Sequence, residues 1–413
     1  MHEMSMPSSP LGVPHSRIGS GTSWLPDSSR MRELSVMKGQ WMISLHGSFT
    51  GFYDQQNTQR GDTSFGETDW EMVMAMRPLA GGLFHLHAMT SLEPLLLGAA
   101  GYPLLLQTGG SYQHSFIHDR QHPHQGLMEA AAMYEHSLGS SLAWSTYLAA
   151  AGEPALGPPA FMHRPSAEND PFAPLGHHWQ DAAHESYGVA TLGLFTHSLK
   201  LEGSAFNPRE PDEHYPFADY RQAKLDSYTG RLNWAPTAHL VASSWWAYLN
   251  SHDRLDPDTR MHRYGASLLT DMNGIGGGRW SSTFIWAMNV HHHGAGAHEF
   301  LHGTPGASPH HHSSSILGET NFEVGSKTAV FARIEGVRKS GEELGFQGGD
   351  LTVVYDIRSY VLGASRTLLR YKKAELIAGA RGSIDFVTED LHLAYGTRRP
   401  TGFAIFANVR PVR

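Results

Sequence analysis

The sequence predicts an all-β protein, a transmembrane antiparallel β-barrel of about sixteen strands, with fourteen or eighteen also open. Three observations carry this. Long polar connections alternate with very short ones, and the segments between them alternate in polarity with a period of two. No apolar window approaches the ~18 to 20 residues that a membrane helix needs.

The absence of a helical span matters because it leaves one kind of membrane structure. At 413 residues the chain could hold two or three soluble domains or one closed β unit. Its hydrophobic fraction is 40% and its mean hydropathy is −0.34. The longest apolar stretch, 95–106, is broken by Gly98, Gly101 and Pro103. A membrane role therefore requires a barrel, which satisfies every backbone polar group without helices. With 44 Gly, 10 Trp and 15 Tyr, the chain has residue types suited to tight turns and membrane interfaces. It has no cysteine, which excludes disulfides, thiolate metal sites and c-type haem attachment. A net charge of −8 without a basic run gives no reason to expect nucleic acid as partner. Residues 1–14 have neither the basic nor the apolar region of a signal peptide. An exported barrel needs one, so the chain is expected to begin near the mature end, or its start to omit the leader.

The alternation of connections sets the strand order. Strands are expected at 42–53, 69–79, 83–92, 126–138, 141–150, 187–196, 200–206, 225–234, 238–249, 261–270, 279–290, 315–324, 328–337, 351–362, 374–386 and 402–410. Residues 80–82 and 139–140 are tight turns, whereas 93–125 and the Pro-rich 152–186 are long loops. An even strand number puts both termini on the short-turn side, as export from the periplasm requires. Residues 1–41 are then a periplasmic N-terminal tail and 42–413 the barrel.

Period-two patterning assigns faces. In the first strand Ile43, Leu45, Gly47, Phe49, Gly51 and Tyr53 would face lipid, opposite Ser44, His46, Ser48 and Thr50. In the twelfth, Glu319, Asn321 and Glu323 oppose Ile316, Gly318, Thr320 and Phe322; in the fifteenth, Glu375, Arg381 and Asp385 share a face. Charges of both signs on inward faces imply a solvated lumen, since a lipid-facing charge near the midplane costs ~2 to 4 kcal/mol. Tyr53, Trp70, Tyr187 and Tyr248 would form one interfacial girdle, and Trp144, Trp234 and Trp280 the other. A large soluble β-sandwich also alternates, but seldom alternates its loop lengths so regularly.

Histidine is the compositional outlier, at 28 residues. It concentrates in the long loops. His114, His118, His122 and His124 lie close together with Asp119, and imidazoles at such spacing could bind Zn²⁺, Cu²⁺ or Ni²⁺, although no closed zinc motif is matched. Asp119 and Arg120 could instead be pore-lining charges on a loop folded into the lumen. His177, His178 and His184 form a second group with Asp181, and the tract from His291 to His312 a third. Among the methionines, Met72, Met74 and Met76 share a face that is expected to meet lipid, because Glu71 and Arg77 occupy the other. His85, His87 and Met89 are expected to point inward, a candidate site for Cu or Zn. A lipid-boundary Ser–His enzyme is the rival class, but no Gly-x-Ser-x-Gly elbow is present.

Several longer motifs carry a family resemblance. At His118-Asp-Arg-Gln-His-Pro-His124 and Gly152-Glu-Pro-Ala-Leu-Gly-Pro-Pro-Ala-Phe-Met-His-Arg-Pro-Ser166 the chain resembles a family of bacterial outer-membrane β-barrel proteins of no established activity. The likeness extends through Gly21-Thr-Ser-Trp-Leu-Pro-Asp27, Pro174-Leu-Gly-His-His-Trp-Gln-Asp181, Leu201-Glu-Gly-Ser-Ala-Phe-Asn-Pro-Arg-Glu-Pro-Asp-Glu213 and Asp226-Ser-Tyr-Thr-Gly-Arg-Leu232. Members are often found beside copper or other heavy-metal efflux systems, so the resemblance implies an outer-membrane location and a metal context, not a mechanism. The motifs concentrate in two long loops, which could pack together inside the wall.

The expected function is a porin-like outer-membrane channel for small solutes, linked to transition-metal (copper) handling. The alternatives are a non-conducting metal-binding or structural barrel, and a lipid-modifying enzyme. The expected partners are outer-membrane lipid, small solutes or metal ions, and further copies of the chain as a homo-oligomer. The residues expected to line the functional region are Asp119, Arg120, Asp181, Glu319, Glu323 and Arg381, with the histidines above and Met89 as metal ligands.

Overall fold

A computed structural model describes residues 9–98, 100–112, 115–209, 220, 223–251, 258–274, 277–292, 310–346 and 353–412; at 109–112, 115–116, 182, 184 and 310–311 it describes the backbone alone. The strands are β1 (Leu34–Lys38), β2 (Trp41–Asn57), β3 (Thr63–Leu79), β4 (Gly82–Thr90), β5 (Tyr102–Tyr112), β6 (Ser115–Gln121), β7 (Leu127–Ser137), β8 (Ala143–Ala151), β9 (Val189–Phe195) and β10 (Leu199–Phe206). They continue as β11 (Ser227–Thr237), β12 (Leu240–Asn250), β13 (Arg260–Asn273), β14 (Arg279–His292), β15 (His310–Val324), β16 (Thr328–Ser340), β17 (Val354–Tyr371), β18 (Ala374–Val387) and β19 (Thr401–Pro411). Short helices α1 (Glu93–Leu96), α2 (His177–Gln180) and α3 (Glu389–Tyr395) sit in long connections.

Among the described residues, sixteen strands close an antiparallel barrel: β2 to β4, then β7 to β19, with β19 returning to β2. Closure by β19 on β2 removes the open edges that a flat sheet of these sixteen strands would have. β19 pairs with β2 from Thr401↔Asn57 to Val409↔Phe49, and β1 continues along the same edge from Leu34↔Leu45 to Lys38↔Trp41. β1 and β19 thus occupy successive stretches of one edge of β2.

Period two holds around the barrel. Leu45, Leu192, Leu201, Leu232, Ile316 and Leu362 are exposed on the outer face, an apolar belt for lipid. Glu319, Asn321, Glu375, Arg381 and Asp385 are buried on the inner face, as the alternation predicts.

Three expectations are corrected. Met72, Met74 and Met76 are buried inward, because cross-strand partners share a face and these pair with His46, Ser44 and Met42 on β2. Arg77 misled the assignment: close to the turn, it lies over Trp41 at 5.4 Å and donates to Gln40 Oε1, so its charge stays at the interface. In the expected girdles, Trp234 and Trp280 are half exposed, but Tyr187 is buried and donates to the Leu127 carbonyl. Residues 9–41 do not form a separate tail. β1 is wall, and the segment before it buries Val13, Ile18, Trp24 and Leu25 against the barrel's interior.

Candidate functional site

Three inward segments fill the lumen, and their wall partners place them from one end to the other. At the short-turn end lie residues 9–33. Lys200 donates to the Thr22 carbonyl at 2.8 Å, Arg231 donates to Thr22 Oγ1 at 3.0 Å, and Ser28 N donates to the Ala238 carbonyl in the β11–β12 turn. Arg17 is held by Asp27 and donates to the His197 carbonyl in the β9–β10 turn.

The middle layer is 152–186, almost wholly buried. Its anchor is Arg164, which donates to Asp181 Oδ2 at 2.5 Å and to Glu319 Oε1 on β15 at 2.7 Å. Arg333 on β16 bridges Glu319 and Asp170, each at 3.2 Å, and Arg381 on β18 donates to Asp170 at 2.9 Å. Glu335 accepts from the backbone of Leu175 and Gly176. Three of the expected residues, Asp181, Glu319 and Arg381, therefore meet in one network. They do so as partners of the plug rather than as free charges along an open pore. Arg164, Asp170 and Arg333 were not singled out in the sequence, although Arg164 stands inside a motif quoted for the resemblance. Buried charges survive only when paired and hydrogen-bonded, so such a network fixes one docked position.

At the long-loop end the β5–β6 hairpin folds inward. Asp119 does not line a pore: it accepts from Leu106 N and Tyr395 Oη and pairs with Arg60 at 2.6 Å. Arg120 donates to the carbonyls of Ala100 and Gly101 and to Asp62. Lys339 on β16 donates to the Leu106 carbonyl at 2.6 Å.

The two His-rich loops meet. The rings of His124, Phe161, His177, His178 and His122 form a chain with successive centroids 5.4 to 6.4 Å apart. His177 Nδ1 lies 2.6 Å from Asp181, and His124 Nδ1 lies 3.0 Å from Glu93. Burial opposes a charge on His124, but Glu93, Glu185 and Asp69 outweigh it and push its pKa up to about 9. Burial takes His122 the other way, down to about 3. Burial raises the Glu185 carboxyl to about 7. His118 faces Gly345 and lies on β6. His114 falls outside the described residues, as does the side chain of His184.

His85, His87 and Met89 point inward, as expected, along β4. Each histidine has its own carboxylate on β7, Glu135 at 3.6 Å and Glu129 at 3.3 Å. Glu323 faces Arg32 at 3.8 Å.

Between the inner segments and the β18–β19–β2–β3 wall a cavity of about 150 Å³ remains, lined among others by Arg30, Arg32, Arg410, Asp69, Trp70 and Met72.

No protein-family model and no curated protein matches the chain. Solved structures do. The chain is similar to an anion-selective porin from Comamonas acidovorans, with 11% identity, TM-score 0.53, and coverage of 90% of this chain and 99% of that one. It is similar to OmpF of Salmonella typhi, solved in complex with daunomycin, with 9% identity, TM-score 0.54, and coverage of 91% and 100%. The chain has a porin fold.

Near-complete coverage of both porins aligns their walls with this one. What distinguishes a barrel of this fold is therefore read from the side chains inside it.

Proposed function

We propose that the chain is an outer-membrane channel of small bore that passes small solutes beside a docked plug. The observation that carries this is the closed barrel with an apolar outer belt that holds, beside its inner segments, a cavity of about 150 Å³ among the described residues. That space is well above the ~10 to 15 Å³ that a single water needs, so it admits water together with an ion or a small solute. Positive and negative side chains line it together, which suits polar cargo.

Planar-bilayer recording of the purified, folded barrel tests the reading. Discrete steps of small amplitude are expected, and Arg30→Glu, which reverses a charge on the cavity wall, should move the reversal potential toward cations. A folded barrel that stays silent in salt and admits no small sugar in liposome swelling would overturn it. The filled lumen would then favour the second reading, a non-conducting binding barrel. A link to copper or other metals is supported by the motif resemblance and by the inward His and Met side chains of β3 and β4.

A further inference from the structure

We propose that His15, Glu33 and His46 form a binding site for a divalent transition-metal ion of the zinc class, which clamps the N-terminal segment to the barrel wall. The three residues come from separate places: His15 from a short helical turn in the lumen, Glu33 from the residue before β1, and His46 from the inner face of β2. Their ligand atoms lie within 4.8 Å of one another. His46 Nε2 is 3.1 Å from Glu33 Oε2, and His15 Nε2 is 3.7 Å from it. Zinc binds imidazole nitrogen and carboxylate oxygen at ~2.0 to 2.2 Å in a tetrahedral arrangement, which puts neighbouring ligand atoms ~3.4 Å apart. The two separations to Glu33 bracket that value.

Burial and valence point to the same conclusion. Both histidines are buried, and the side chain of Glu33 is 15% exposed. Yet His15 Nε2, Glu33 Oε2 and His46 Nε2 have no well-aligned hydrogen-bond partner and face only one another. Buried polar atoms are normally satisfied, and orphans that converge on one point leave a place for an ion. Two imidazoles and one carboxylate suit borderline divalent ions, not hard Ca²⁺ or Mg²⁺, which prefer oxygen alone. His46 also lines the cavity, which gives the ion a way in and leaves its fourth position to water or a solute. Met72 stands across from His46 in register, so a soft Cu(I) ion is the competing cargo.

The competing account without a metal is a bridge in which protonated imidazoles hold the carboxylate. Burial would raise the Glu33 pKa, but the two imidazoles outweigh it and hold it well below the usual range. Such a bridge gives no tight metal uptake, so the two accounts separate experimentally.

The experiment is metal titration of the full, folded barrel with Zn²⁺, and with Co²⁺ for its absorption spectrum. One tight equivalent and a tetrahedral Co²⁺ band are expected. His15→Gln and Glu33→Gln, which keep size and polarity, should each weaken that equivalent by a factor on the order of 100 or more. Weaker binding by the His-rich tract 291–312 should persist in both variants. His85→Gln with His87→Gln is the control and should leave the tight equivalent unchanged. Its persistence in His15→Gln and Glu33→Gln overturns the assignment, as does the absence of any tight equivalent. Tighter Cu(I) uptake that is lost in Met72→Leu overturns the choice of a divalent ion.

Discussion

At the residue scale, Arg164 matters because it is buried between two carboxylates. Arg164→Ala leaves Asp181 and Glu319 facing each other without their shared cation, and breaking a buried pair this way costs ~3 to 5 kcal/mol. Amide hydrogen exchange over 152–186 should speed up accordingly, while the barrel strands stay protected. Arg338→Ala removes a solvent-exposed partner of Asp356, 3.3 Å away, where a surface pair contributes ~0 to 1 kcal/mol, so exchange there should hardly change. His124 supplies a pH dependence. Its pKa of about 9 lies above its ordinary 6.5, so its contribution to loop docking is complete below pH 6.5 and lost as pH rises through 9. Glu185, raised from 4.5 to about 7, weakens docking in the same sense but mainly between pH 4.5 and 7, so the change above pH 7 belongs to His124. Protease cleavage within 120–126 should therefore increase from pH 6.5 to 9.5. A flat profile would show that the His124–Glu93 pair does not hold the loop.

At the scale of the strand, the outer face is the part the lipid reads. Leu192 lies at the middle of β9, paired with Gly203 and Thr146, and its side chain is 68% exposed. Leu192→Arg puts a charge near the membrane midplane and should cost ~2 to 4 kcal/mol in reversible unfolding from lipid vesicles. Thr191→Ser, on the inward face beside Ser204, should cost far less. This contrast rests on period two, which is also why the strands were legible in the sequence. Leu45 opposite His46, and Ile316 opposite Glu319, declare their faces within a few residues. β1 was not legible, because five residues that complete another strand's edge carry too short a pattern. Nor was the β5–β6 hairpin. Its sequence reads as a loop because its Asp119 is held by Arg60 and Tyr395 from distant parts of the chain. The Met72–Met76 face was misread because a charge three residues before a turn can reach the interface, so Arg77 carried no information about the face opposite it.

For the whole molecule, the sequence marked Asp181, Glu319 and Arg381 as inward charges but could not pair them, since their partners lie far away in sequence and depend on how 152–186 folds back. His15, Glu33 and His46 were hidden for the same reason: none clusters with the others along the chain. That plug also yields the most decisive prediction. Its ends are already joined, because Gly152 and Ser186 form a reciprocal backbone bridge, each N donating to the other's carbonyl at 3.0 and 2.9 Å. A short Gly-Ser linker can therefore replace 154–184 without stretching β8 or β9. Removing the plug strips Glu319 and Arg333 of inner partners, but it also admits water, and a hydrated charge carries a far smaller burial penalty. The barrel should still fold, because its closure comes from the ladder, and about sixteen strands are wide enough for an aqueous channel beside the residues 9–33 and the β5–β6 hairpin that remain. Single-channel conductance should rise several-fold over the intact chain and lose its discrimination against larger sugars. Conductance unchanged by the deletion, in a barrel whose folding is confirmed by heat-modifiable mobility, would mean that solutes never passed beside 152–186.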